Sequence, residues 1–277
     1  MSDNFPKISV IMPFYNAESY IGQAIESILN QSFSNFELIL INDASNDNSE
    51  EIIARYLKDK RIIYIKNNFN KGIVYNLNAG LKLAKSEIIA RMDGDDISNK
   101  ERFAKQYDFL QNNSDISVVG SFVKIIDGLG RQIDKRTKLL DPEKIKNDLI
   151  VYSPLVHPSV MFRKSHVLAV GGYREKCIYV EDVDLWYRLA YSGYKISNIP
   201  EFLLKYRFHE NSTSKKSRII AKKAFLLRRE TIKKFNLKIG FRKFSLIYLQ
   251  FLIGIFLPAG FQRFLEGFYK KLAYHEK

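Results

Sequence analysis

EIIARMDGDD, residues 87–96, is an apolar run of strand length that ends abruptly in acids, and the same change of character occurs twice upstream. ISVIMPFYN (8–16) closes on Pro13-Phe14-Tyr15-Asn16, and FELILINDAS (36–45) closes on Asn42-Asp43-Ala44-Ser45. Between these runs apolar residues recur at helical spacing. Tyr20, Ile21, Ala24, Ile25, Ile28 and Leu29 make one such face; Ile52, Ile53, Tyr56 and Leu57 make a second, in a helix that Ser49 is placed to cap. A third strand at 61–65 and the turn Asn67-Asn68-Phe69-Asn70-Lys71-Gly72 lead into a helix carrying Ile73, Val74, Leu77, Leu81 and Ala84. Strands alternating with amphipathic helices define an α/β fold with a mostly parallel central sheet. Ligands collect beyond the carboxyl ends of strands in such sheets, so the three polar clusters are predicted to share one crevice.

The second half is less regular. A helix is predicted over 100–111, an apolar strand region over 116–126 with a hairpin turn at Asp127-Gly128-Leu129-Gly130, and another strand at 160–162. Residues 181–191 read as a helix with Val183, Trp186, Tyr187 and Ala190 on one side. There is no internal repeat and no low-complexity linker, so the halves 1–105 and 106–212 are expected to share one core.

The chain of 277 residues is 46% hydrophobic, enough for a substantial core. Its formal charge of +14 would ordinarily raise nucleic acid as a partner. The excess is terminal, however: residues 215–277 carry 16 Lys and Arg against Glu230, Glu266 and Glu276, a net of +13 that leaves +1 for the rest. A nearly neutral body without a basic stripe argues against polynucleotide binding. A single cysteine, Cys177, excludes an internal disulfide, and the opening MSDNFPKISVIMP lacks the layout of a secretory signal, so a cytoplasmic setting is expected.

Asp93, Asp95 and Asp96 crowd three like charges at a strand end and would repel one another without a cation between them. Carboxylate oxygens suit Mg²⁺ or Mn²⁺, which take their remaining ligands from phosphates and water. An exposed acidic turn is the bland alternative.

In order and spacing these segments resemble the family 2 glycosyltransferases with the GT-A fold, over about the first 210 residues. The resemblance rests on residues 8–16 and 36–45, on Arg91-Met92-Asp93-Gly94-Asp95-Asp96 with Arg102 after it, on His157-Pro158-Ser159-Val160-Met161-Phe162-Arg163, on Gly171-Gly172-Tyr173 and on Glu181-Asp182. It implies a Rossmann-like nucleotide-sugar half at 1–105 and an acceptor and catalytic-base half at 106–212, and leaves 213–277 as a basic, apolar helical C-terminal region outside it. Pro13, Tyr15, Asn16, Asp43, Lys71 and Asp93 would hold the nucleotide of a UDP-sugar, with Asp43 accepting from the uracil N–H, as a carboxylate can. Asp95 would be the main metal ligand, with Asp93 near ribose and metal, although the division among Asp93, Asp95 and Asp96 stays open. Asp182 would be the base of an inverting displacement. Glu181, His157, Arg207 and Trp186 are secondary candidates for the acceptor or leaving group, and His209 in Arg207-Phe208-His209 is a further candidate metal ligand. Structural alternatives stand beside each: a turn-forming Asp43, a helix N-terminus that favours acids whatever their function, and a core position for Trp186.

Residues 215–243 read as a basic helix running directly into an uncharged stretch at 244–262, in which Gly254, Pro258 and Gly260 weaken any continuous span. A monotopic or re-entrant attachment to the cytoplasmic face of the inner membrane is expected, which would suit a polyprenyl-diphosphate-linked saccharide acceptor of O-antigen or capsule assembly. A helical subdomain covering its own core is the alternative, and a homodimer is the assembly expected if the chain associates. The competing functions are a nucleotidyltransferase of related fold, which would carry a Gly-rich basic phosphate loop after the first strand, and a non-catalytic membrane-associated binding protein.

Overall fold

A computed structural model describes residues 5–208 and 217–257. The chain divides into two compact units, Met1–Phe208 and His209–Lys277.

The first unit is built on one sheet. β1 (Ile8–Phe14), β2 (Phe36–Asn42), β3 (Ile62–Lys66) and β4 (Ile88–Arg91) are parallel, in the order β3-β2-β1-β4. Every residue of β1 and β2 is buried, as expected of strands covered on both faces. α1 (Ile21–Leu29), α2 (Ser49–Ala54) and α3 (Ile73–Leu83) make the crossovers. Ile21, Ala24, Ile25 and Ile28 of α1 are fully enclosed, and each large aliphatic side chain so buried contributes about 1.5–3 kcal/mol. Ser49 does not cap α2. Its hydroxyl accepts from Ala17 N at 2.9 Å, pinning the loop after β1, while Asp47 accepts from Ser49 N at 3.0 Å and orders the first turn.

Beyond β4 the sheet departs from the mostly parallel expectation and is mixed. After the two-residue β5 (Ile97–Ser98) and α4 (Arg102–Asn112), the chain forms β6 (Ile116–Ile126), its hairpin partner β7 (Gln132–Arg136) and α5 (Pro142–Asp148). β8 (Met161–Arg163) then enters antiparallel to both β4 and β6, and after α6 (Lys164–Ala169) and α7 (Glu181–Tyr191) β9 (Lys195–Arg207) pairs parallel with β6 and antiparallel with β5. The parallel rule holds only where a helix separates successive neighbouring strands. β8 links the two halves into one sheet and one core, from Val10 and Met12 to Val119, Met161 and Leu204.

In the second unit, α8 (Ser217–Lys234) and α9 (Phe241–Phe256) replace the single long helix expected over 215–243. Asn236 adopts φ 49°, and Leu237 N bonds Ile232 O at 3.0 Å, the left-handed helix stop that satisfies a terminal carbonyl. α9 restarts after Gly240. At Gly254 a Cβ would lie 2.3 Å from Ala221 Cβ, so α8 and α9 touch where only glycine fits. Phe225 stacks on Phe251 with ring centroids 4.4 Å apart.

Candidate active site

The parallel strands β2, β1 and β4 end at one edge of the sheet, and each leaves the sheet into one of the polar clusters. Gly94 is required by close approach: a Cβ there would sit 2.9 Å from Phe14 Cβ, so the acidic loop lies flat against the end of β1. Oxygens of Asp93, Asp95 and Asp96 fall within 4.8 Å of one another. Asp96 is buried; its Oδ1 accepts from Arg207 N at 2.7 Å, and its Oδ2 has no hydrogen-bond partner. Burial and the neighbouring Asp95 and Asp93 carboxylates push Asp96 well above the usual carboxylate range. An all-oxygen cluster that is electrostatically overloaded in this way fits a hard divalent cation.

Arg91, at the end of β4, pairs with Asp93 at 2.5 Å from a side chain that is 5% exposed. Its charge also acts on Asp182, Glu181, His157 and Tyr173. Arg102 is enclosed and donates to Arg91 O at 2.7 Å and Val160 O at 3.2 Å, fixing the strand end that carries the acids.

Asp182 lies in the first turn of α7, close enough to Asp93 for the two charges to oppose one another. Its Oδ1 accepts from Val183 N at 2.8 Å. Burial raises its pKa, and the Val183 N–H and Arg91 pull against that rise. Glu181 is pushed up to about 7 by burial and by Asp182 beside it, and its buried Oε2 has no hydrogen-bond partner. The third acid of this turn has a different job: Asp184 is buried in ion pairs with Arg174 and with Arg188, the latter at 2.7 Å, and holds the helix in place. The first turn of α7 thus separates a structural acid from two that border the crevice.

Asp43 caps β2 and is buried. Its Oδ1 accepts from Lys71 N at 2.8 Å and Asn67 Nδ2 at 2.9 Å, and its Oδ2 from Gly72 N at 2.9 Å. These bonds fold the 67–72 turn onto the strand end. A carboxylate offers about four acceptor positions, so roughly one remains for a ligand N–H. Strand spacing sets β2 about 10 Å from β4. Beside Asp43, Lys71 Nζ lies 4.4 Å from the Tyr75 ring and 5.4 Å from the Phe69 ring, both exposed, so the rim around Lys71 is aromatic as well as cationic, and Phe69 and Tyr75 join Lys71 there. Tyr15 is exposed after β1, Pro13 is buried within the strand, and Asn16 at φ 50° donates its N–H to Ser45 Oγ at 3.0 Å, joining the first two clusters.

The secondary candidates take supporting positions. His157 is buried, with Nε2 3.0 Å from the Tyr173 hydroxyl. Burial and Arg91 hold it well below its ordinary pKa, so it is neutral near pH 7 and supplies no charge to a leaving group. Trp186 is fully enclosed and edge-on to His157 at 6.0 Å, so it backs the site and does not line an acceptor cleft. Arg207 is buried, and its guanidinium is spent on protein groups. It donates to Asp95 O and Gln23 Oε1 at 2.7 and 2.8 Å and to Asp127 O and Gly128 O at 3.2 Å. It clamps the acidic loop to the β6–β7 turn and is not the phosphate-facing cation expected. His209 lies outside the described residues.

An acid cluster at the strand ends beside a helix-borne carboxylate, on this mixed sheet, is the GT-A glycosyltransferase fold. The chain belongs to glycosyl transferase family 2, whose description matches residues 9–170. It is 41% identical to an uncharacterized glycosyltransferase, MJ1057, of Methanocaldococcus jannaschii over 73% of this chain and 71% of that protein. It is 36% identical to the O-antigen biosynthesis glycosyltransferase WbnJ of Escherichia coli, over 82% and 89%. A UDP-Gal:alpha-D-GlcNAc-diphosphoundecaprenol beta-1,3-galactosyltransferase of Escherichia coli is 29% identical over 79% and 80%. Among solved structures, S. aureus TarS 1-349 in complex with UDP-GlcNAc superposes with TM-score 0.64 at 19% identity, over 90% of this chain and 81% of that one. The mannosyltransferase PcManGT from Pyrobaculum calidifontis, in complex with GDP-Man and Mn²⁺, gives 0.63 at 16% identity, over 99% and 77%.

Proposed function

We propose that the chain is an inverting, divalent-cation-dependent glycosyltransferase. It moves a sugar from a UDP-sugar to a hydroxyl of a polyprenyl-diphosphate-linked saccharide during surface polysaccharide assembly. The observation that carries this reading is the placement of Asp182 within electrostatic reach of Asp93, next to the Asp93-Asp95-Asp96 cluster. The relatives named for O-antigen synthesis and for a diphosphoundecaprenol acceptor support the acceptor class.

In this reading Asp43 accepts from the base, with Lys71 and the neighbouring aromatic rings beside it, and Asp95 and Asp93 hold the cation. A bound cation supplies Lewis-acid stabilisation of the departing nucleoside diphosphate. The acceptor hydroxyl attacks the anomeric carbon as its proton passes to Asp182. The new C–O bond forms as the bond to phosphate breaks, and that electron pair leaves on the phosphate oxygen. One displacement inverts the configuration, so an α-linked donor gives a β-linkage. The test is to incubate the protein with UDP-sugars, Mn²⁺ or Mg²⁺ and a polyprenyl-diphosphate monosaccharide. A β-linked disaccharide supports the reading, and an α-linked product from an α-linked donor overturns it.

The acid pair on α7 makes the reaction pH-dependent. A carboxylate with a raised pKa is ionised, and able to take a proton, only above that value, so kcat/KM for the acceptor is expected to fall as the pH drops, with the fall beginning above the ordinary carboxylate range because burial raises Asp182. Glu181→Gln removes the neighbouring acid that burial and Asp182 push up to about 7, whereas burial is the first cause of the rise at Asp182 itself. Its acid limb is therefore expected to stay with the wild type's, measured as log kcat/KM between roughly pH 4 and 9, and a limb that vanishes with Glu181 would assign the proton to Glu181.

A further inference from the structure

The helix pair of the C-terminal unit has two exposed surfaces that the glycosyl-transfer reading does not use. On α9, Phe241, Phe244, Tyr248, Leu252 and Ile255 follow one another at spacings of three and four, so they share one helix face. Phe241 is 86% exposed, Phe244 60%, Tyr248 48%, and Phe256 beside this face 72%. α9 contains no acid, and Ser245 is the polar residue on that face. On α8, exposed Arg218, Lys222, Arg229 and Lys233 recur at helical spacing, and Glu230 is the helix's one acid.

Internal packing within the pair reaches the edge of this face at Tyr248, which is edge-on to Phe225 at 6.4 Å. Phe225 against Phe251 and Ala221 against Gly254 close the contact between α8 and α9. Phe241, Phe244 and Phe256, the most exposed rings of the face, therefore lie outside the seam of the hairpin. A contiguous exposed apolar face of this length marks an interaction surface.

We propose that α9 lies in the plane of an anionic bilayer surface, its Phe241-Phe244-Phe256 side sunk into the interface, while the basic row of α8 meets lipid phosphates. No helix among the described residues is long and apolar enough to cross a membrane. The 16 residues of α9 reach about 24 Å, short of a hydrocarbon core of about 30 Å. Aromatic rings on one side and a helix whose Lys and Arg far outnumber its one acid, Glu230, are the combination that binds at a charged interface. Charge also selects this occupant over a second copy of the chain, since pairing two such helix pairs would bring like charges together. This surface is independent of the glycosyl-transfer reading and goes beyond it.

The experiment is co-sedimentation of the full chain with phosphatidylcholine vesicles, with and without phosphatidylglycerol. Binding is expected with phosphatidylglycerol, much less without it, and weaker at high salt. Phe241→Ser/Phe244→Ser/Phe256→Ser is expected to reduce partitioning about tenfold or more, with the melting temperature unchanged because these rings are exposed. Lys222→Glu/Arg229→Glu/Lys233→Glu, a second variant confined to exposed side chains, is expected to abolish the preference for phosphatidylglycerol. The proposal is overturned if the chain ignores anionic vesicles or if both variants bind as the wild type does. A dimer in light scattering that the serine variant converts to monomer also overturns it, in favour of a second copy.

Discussion

Asp182→Asn is expected to lower kcat for transfer by about 10²–10⁴-fold while leaving the affinity for the nucleotide sugar unchanged, because the substitution removes proton acceptance and little else. The asparagine carbonyl can still accept from Val183 N, the bond that fixes this side chain, so the first turn of α7 stays as it is. Asp184, with its ion pairs to Arg174 and Arg188, continues to anchor the helix. Initial rates with saturating acceptor, together with calorimetric titration of the donor, separate the two effects. Undiminished turnover would remove Asp182 from the chemistry. A parallel loss of donor affinity would give it a binding role in place of a catalytic one.

Asp95→Ala is expected to abolish the increase in nucleotide affinity that Mn²⁺ or Mg²⁺ brings, and to cut kcat/KM by on the order of 10³-fold. That figure corresponds to about 4 kcal/mol of lost charge stabilisation at 1.36 kcal/mol per tenfold. The loop itself is expected to keep its shape. Arg207 holds residue 95 through the backbone carbonyl, and Asp96 holds Arg207 N through its own side chain, so neither bond depends on the Asp95 carboxylate. UDP titrations with Mn²⁺ and with EDTA measure the effect; an unaltered response to Mn²⁺ would place the cation elsewhere.

The strand tips were legible because each was written in one short stretch, a buried apolar run followed by polar residues: residues 8–16, 36–45 and 87–96 became β1, β2 and β4 with the acidic loop at their edge. The helix over 181–191 was equally plain from its apolar spacing. What the sequence hid were relations between distant segments. Arg91 reads as a polar residue at the end of a strand, and only the fold surrounds it with Asp93, His157, Tyr173 and the acids of α7. Arg207 reads as a cation ready for phosphate, and only the return of β9 beside β5 and β6 puts its guanidinium among the carbonyls of residues 95, 127 and 128. Asp184 and Asp182 are alike in sequence; burial against Arg174 and Arg188 distinguishes them. The antiparallel insertion of β8 left no trace either, since a three-residue strand has too little pattern to declare its direction.

A crystal structure of the chain with UDP, an unreactive donor sugar and Mn²⁺ tests the central claim most directly. The account expects the uracil against Asp43, the diphosphate and cation at Asp95, and the Asp182 carboxylate on the face of the anomeric carbon opposite the phosphate. A nucleotide whose base lies away from Asp43, or a sugar whose far face is closed off from Asp182, would contradict it.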